Sequence, residues 1–94
     1  MENSDYQALS ELFKIFSDET RLRILSFLKA GEKTVGEISD ALETSSSAVS
    51  HQLNLLRRSK LVKPRRDGRQ IYYSLDDEHI GAILSCGIEH LEES

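Results

Sequence analysis

The 94-residue chain has one cysteine, one proline, one methionine, no tryptophan and only six aromatic residues. A single cysteine, Cys86, excludes an intrachain disulfide and a cysteine-rich zinc site. No apolar run approaches the roughly 20 residues of a membrane span, and the polar, acidic start lacks the basic-then-apolar order of a signal peptide. The expectation is a cytoplasmic protein with no membrane partner. There is no Gly-rich phosphate loop and no recognisable nucleophile and base pair, so an enzyme is not expected. This length suits one domain, residues 1–94, whose modest core a second copy would help to stabilise.

The net charge of −4 is unevenly distributed. Residues 1–50 carry nine acidic and five basic side chains, and residues 71–94 carry six acidic and none that is Lys or Arg. Between them, residues 51–70 hold Arg57, Arg58, Lys60, Lys63, Arg65, Arg66 and Arg69 against Asp67 alone. Such a basic block between acidic ones makes a local footprint suited to phosphates.

Leu9, Leu12, Phe13 and Phe16 recur at helical spacing and predict an amphipathic helix over 5–16. In the next segment Ser17 or Asp18 can cap a helix whose apolar face is Leu22, Ile24, Leu25 and Leu28, with Gly31 ending it. Thr34 and Glu37 have the spacing of a capping box, with Val35, Ile38 and Leu42 behind them. Ser45 or Ser46 can cap a fourth helix whose inner stripe is Val49, Leu53 and Leu56. Two short helices separated by a few polar residues predict a helix-turn-helix over 34–59. The period then changes. Asp67-Gly68 between two extended segments predicts a hairpin over 61–75, with Pro64 at an edge. A last helix is expected from about Asp77 to Glu92, carrying Ile80, Ile83, Leu84, Ile88 and Leu91. The order α-α-α-α-β-β-α is that of a mainly α winged helix-turn-helix with a small β-hairpin.

A helix entering the DNA major groove needs short polar side chains near its N-terminus and an apolar face to seat it. Ser45, Ser46, Ser47, Ser50, His51 and Gln52 crowd the first turns of the fourth helix, and Arg57, Arg58 and Lys60 stand near its end. The wing arginines Arg65, Arg66 and Arg69 can reach the flanking backbone or the minor groove. Any single serine here can be a cap instead of a base reader. The segments "FSDETRLRILSFL", "SSAVSHQLNLLRRSKLV" and "RRDGRQIYYSL" resemble, in order and spacing, the signature segments of the ArsR/SmtB family of winged-helix repressors. The resemblance runs from about residue 8 to residue 93. It implies a homodimer built from the first and last helices (residues 5–16 and 77–92), a double-stranded operator of imperfect two-fold symmetry, and repression relieved by an effector.

The last helix carries Asp77 and His79 at one end and His90 and Glu93 at the other. Eleven residues of helix separate the histidines by about 16 Å while bringing both groups to the same face, so one ion cannot bridge them within one chain. If two such helices pack antiparallel about a two-fold axis, each pair meets the partner's other pair, and two identical sites of two imidazoles and two carboxylates result. That donor set suits tetrahedral Zn(II). Taken alone, the same residues also fit an ordinary acidic helix end, with Asp76 or Asp77 as cap and Glu92 and Glu93 as a solvated tail. The pattern Asp-x-His-x(10)-His-x-x-Glu resembles the last-helix site of the family's zinc-sensing branch, which implies zinc as allosteric effector, two per dimer, and metal efflux or handling genes as targets. Other members sense softer ions through cysteines on the third helix, where this sequence reads "EKTVGEIS". The alternatives are a repressor sensing Ni or Co, redox state or a non-metal signal. A metallohydrolase would need an open coordination position and a cleft, which a flat helix interface does not offer. Cys86, on the same helical face as the histidines, is expected to be a packed interface thiol.

Overall fold

The computed structural model describes residues 1–93, and Ser94, the last residue of the expected domain, lies outside the described residues. The elements run α1 (Asn3–Phe16), α2 (Glu19–Leu28), β1 (Lys33–Thr34), α3 (Val35–Leu42), α4 (Ser46–Arg58), β2 (Val62–Asp67), β3 (Gln70–Leu75) and α5 (Glu78–Glu93). Each helix begins where the chain offers an acceptor. Asp18 accepts the Arg21 N–H at 3.0 Å, and Ser45 accepts the Ala48 N–H at 3.1 Å. Thr34 and Glu37 close a reciprocal capping box at 2.9 and 3.2 Å. These bonds satisfy amide donors that the first helical turn leaves without intrahelical partners. Helix α1 starts two residues before the expected boundary, with the Glu2 N–H donating to Asp5 at 3.0 Å.

The core is one cluster. Ile24, Leu25 and Leu28 of α2, Ile38 of α3 and Val49, Leu53 and Leu56 of α4 meet Leu61, Val62, Ile80, Leu84 and Phe16. Fully burying a side chain of this size stabilises the fold by about 1.5–3 kcal/mol, so the three positions on α4 are its main attachment. Leu9 and Phe13 of α1 and Ile88 and Leu91 of α5 belong to the expected apolar faces yet stay exposed.

Two features depart from the sequence reading. The hairpin is part of a three-stranded antiparallel sheet of order β1-β3-β2, because the two residues before α3 pair with the middle strand (Lys33 with Tyr73, Thr34 with Tyr72). A two-residue strand is too short to show any alternation. The hairpin turn is also Gly68-Arg69, one position later than expected, because Asp67 pairs with Gln70 and stays in the ladder. Gly68 has φ +63 and Arg69 does not have positive φ, the pattern of a II′ turn with glycine at its first central position. Arg65 therefore faces Tyr72, and Pro64, opposite Tyr73, lies on edge strand β2 as expected.

Both helices of the helix-turn-helix end in Schellman-type caps that lack glycine. At the end of α3, Thr44 N–H reaches Ser39 C=O at 3.1 Å across Glu43, which has φ 54. At the end of α4, Leu61 N–H reaches Leu56 C=O at 2.9 Å across Lys60, which has φ 63. Glycine is the usual occupant because a Cβ in this region costs about 1–2 kcal/mol. Relief of that strain outweighs the extra chain entropy of glycine, so Glu43→Gly should raise stability by about 0.5–1 kcal/mol while Glu43→Ala leaves it nearly unchanged. Urea unfolding of the two variants checks this.

Candidate nucleic-acid interface and effector ligands

The outward face of α4 follows from its inward one. With Val49, Leu53 and Leu56 sealed in the core, the helical period leaves Ser46, Ser47, Ser50, His51, Asn54, Arg57 and Arg58 on the surface. Ser45 is the cap itself, so its hydroxyl is already engaged with the backbone. Gln52 is half-buried, and its Oε1 is buried with no hydrogen-bond partner among the described residues. Arg57 and Arg58 occupy the last turn, where cations interact favourably with the helix dipole, and Arg58 Nε donates to Asn54 C=O at 3.4 Å. Lys60 follows in the left-handed cap.

The wing places its cations unequally. Arg69 sits in the two-residue turn and Arg66 is exposed on β2. Arg65 is held: its Nε and Nη2 donate to the two carboxylate oxygens of Glu32 at 2.8 and 3.0 Å, and its guanidinium lies 4.9 Å from the centre of the Tyr72 ring. The hydrogen bond from Arg65, helped by its charge, lowers the Glu32 pKa below the ordinary glutamate value, and the same contact raises that of Arg65. Sequence reasoning missed Glu32 and Tyr72. With the turn one residue early, Arg65 would have faced Gln70, and no spacing rule links residue 32 to residue 65.

On α5, Asp77 stands just before the first turn and accepts the His79 N–H at 2.8 Å, while the same oxygen lies 3.4 Å from His79 Nδ1. One aspartate thus caps the helix and sits beside the imidazole. His90 and Glu93 are exposed one turn apart at the other end. Among the described residues no three potential metal ligands come together within one chain. The exposed His79, Cys86 and His90 are turned away from the buried Ile80 and Leu84. Lys29 Nζ donates to Ser85 Oγ at 2.9 Å, tying α5 to the end of α2.

An apolar groove of about 310 Å³ runs between α2 and α5, lined by Phe16, Leu22, Ile83, Leu84, Ile88 and Leu91 among others. Tyr6, Leu9 and Phe13 add exposed apolar surface on α1. No helix among the described residues is long and apolar enough to cross a membrane.

The model for a family described as "Bacterial regulatory protein, arsR family" matches residues 18–63. The chain is 44% identical over 88 residues to the transcriptional repressor SmtB homolog of Synechocystis, covering 94% of this chain and 67% of that protein. It is 36% identical over 86 residues to the cadmium resistance transcriptional regulatory protein CadC homolog of Staphylococcus aureus, covering 90% of this chain and 71% of that one. The structure of HlyU from Vibrio cholerae superposes with a TM-score of 0.86 at 32% identity, over 99% of this chain and 100% of that chain.

Because the Glu32 pKa is depressed, the stabilisation from its pairing with Arg65 is present above the ordinary glutamate pKa and is lost as pH falls through the lowered value. The stability difference between the protein and Glu32→Gln should stay constant from neutral pH down to that range and vanish below it. Urea melts of both proteins at a series of pH values measure this.

Proposed function

The chain belongs to the arsR family of winged helix-turn-helix transcriptional regulators, DNA-binding proteins and not enzymes, and from this premise we propose that it is a zinc-responsive repressor. In this reading a homodimer binds an operator without metal and releases it when zinc occupies two sites between the last helices. Metal efflux or handling genes are the proposed targets. The observation that carries the effector assignment is the pairing on α5: Asp77 and His79 already touch at one end, and His90 and Glu93 share a face at the other.

These ligands complete a site only with a second copy, and the exposed apolar surface of α1 and α5 supports one. Burial of Tyr6, Leu9, Phe13, Ile88 and the α2–α5 groove against a partner would remove exposed apolar surface from water. In an antiparallel α5 pair, the residue sums that match His79 with His90 and Asp77 with Glu93 place the axis near Leu84 and Ser85. Cys86, exposed on the single chain, would lie close to that axis. The two nitrogens and two oxygens of each site are a donor set that zinc accepts, and the lone cysteine provides no thiolate cluster for a softer ion. When bound, zinc would tie the two α5 helices together.

The chain's own residues supply the rest. Ser46, Ser47, Ser50, His51 and Gln52 meet base edges or phosphates in the major groove, while Arg57, Arg58, Lys60, Arg66 and Arg69 meet the backbone. The same face brings Ser45 as a cap that aims the helix. Ile80 and Leu84 of α5 share one core with Val49, Leu53 and Leu56, and through that packing a change in the α5 pair would reach α4. The second reading, a thiol-based signal, would rest on Cys86, the one cysteine of the chain.

Anisotropy of the purified protein on a labelled duplex from its own upstream region tests this at fixed salt. Zinc should weaken binding by about 5- to 150-fold, the usual range of allosteric coupling, and His79→Ala or His90→Ala should abolish that response while leaving metal-free binding intact. Zinc displacement that survives both substitutions would refute the α5 site. Loss of the response in Cys86→Ser with both histidines in place would favour the thiol reading. Separately, Phe13→Asp should dissociate the dimer in sedimentation experiments and weaken operator binding at least tenfold, since one half-site is then bound without its twin.

A further inference from the structure

The Arg65 side chain crosses the whole sheet. Thr34 of β1, Tyr72 of β3 and Arg65 of β2 stand in one row, because Tyr72 is the register partner of both of the others. They share the face away from the core, and Glu32, two residues before Thr34, falls on that face by alternation. The guanidinium passes over the Tyr72 ring at 4.9 Å and ends in a two-pronged bond to Glu32 at 2.8 and 3.0 Å. A cation on β2 is thereby fastened to the chain that enters β1, with the middle strand beneath it.

The location of this fastening matters. The third strand supports the hairpin only at Tyr72 and Tyr73, so everything beyond that rung, from Arg66 through the Gly68-Arg69 turn to Ile71, is a bare two-stranded ribbon. Such a ribbon is marginal by itself and its twist is soft. Arg65 sits at the last rung that has a third strand, where the supported sheet ends and the free tip begins. We infer that Arg65 is a wing-positioning residue, clamped by Glu32 and Tyr72 to set the direction in which the tip cations Arg66 and Arg69 leave the body, and is not itself a phosphate contact. The inference rests on the reading that the wing meets the DNA backbone. The Arg65 Nε–H and one Nη2–H are committed to Glu32, so turning the guanidinium to offer a phosphate that same two-pronged fork would break both bonds and the ring contact, and would leave the Glu32 carboxylate facing a polyanion.

Four substitutions and one double variant separate positioning from contact. Glu32→Gln removes a negative charge close to DNA, so electrostatics alone gives tighter binding; the clamp gives weaker binding, by about threefold, the scale of a well-made surface ion pair. Arg65→Lys keeps a charge that serves a phosphate but cannot make the fork, so it should weaken binding about as much as Arg65→Gln does. In both variants the slope of log K against log salt should match that of the unmodified protein, whereas Arg69→Gln should reduce it by about 0.9. The double variant Glu32→Gln/Arg65→Gln should bind no worse than either single one. Tighter binding by Glu32→Gln, or full retention of affinity by Arg65→Lys, overturns the inference. In the free protein, backbone order parameters at residues 66–70 should fall from a rigid value near 0.85 toward 0.6 in Glu32→Gln, and an unchanged tip also overturns it. If the unmodified protein fails to bind the duplex with a steep salt dependence, it is the DNA-facing reading of the wing that fails, and the order parameters alone decide the clamp.

Discussion

Val49, Leu53 and Leu56 lie on one stripe of α4, almost wholly sealed from water, and that burial constrains the rest of the molecule. A helix can bury one stripe and must expose the other. Once these three side chains are seated in the core, with α4 against α3 and β2, the orientation of every serine, histidine and arginine on the opposite face is fixed by the roughly 100° step of the helix. The two left-handed caps, at Glu43 and Lys60, act at either end of this stripe. The first turns the chain from α3 into α4, and the second turns it from α4 into the wing, with Leu61 folding back into the same core. The exposed face of α4 has one orientation because the helix has no second apolar stripe to bury.

Charge follows a different logic. The basic block is confined to the end of α4 and the hairpin, while α5 carries four carboxylates besides its two histidines. Segregation of this kind lets a chain with a net negative charge still present a cationic edge to a polyanion. Within that edge the cations are not equivalent. Arg69 and Arg66 are free of carboxylate partners among the described residues, whereas Arg65 is spent on Glu32. The wing arginines are therefore in two different electrostatic settings, one paired and two unpaired among the described residues.

The winged helix-turn-helix was legible in the sequence because its signals are local. The Thr34 and Glu37 box, the Ser45 cap, the Val49-Leu53-Leu56 stripe and the change of period after residue 60 all lie within a few residues of what they determine. β1 was not legible, since two residues carry no periodicity and its pairing is set by a strand nearly forty residues away. The hairpin turn was read one residue early because Asp-Gly and Gly-Arg both form tight turns, and only the ladder shows which pair is central. Of the candidate site, Asp77 and His79 were expected at one end of the last helix, and there the aspartate caps the helix through the His79 N–H. The tie between Glu32 and Arg65 was hidden: it depends on register across three strands, and a slip of one residue in the turn moves the arginine's opposite number by two.

The single proline has a consequence for the sheet as a material. β2 has an open outer side, a row of backbone donors and acceptors of the kind that recruits further strands and seeds aggregation. Pro64 removes a donor near the middle of that row, and Lys63 and Arg66 flank it with positive charge that a second copy of the same edge would repel. The opposite side ends in a strand only two residues long, too short to template anything. Both borders of the sheet are thus poor templates for a further strand, which lowers the tendency of the exposed wing to seed fibres.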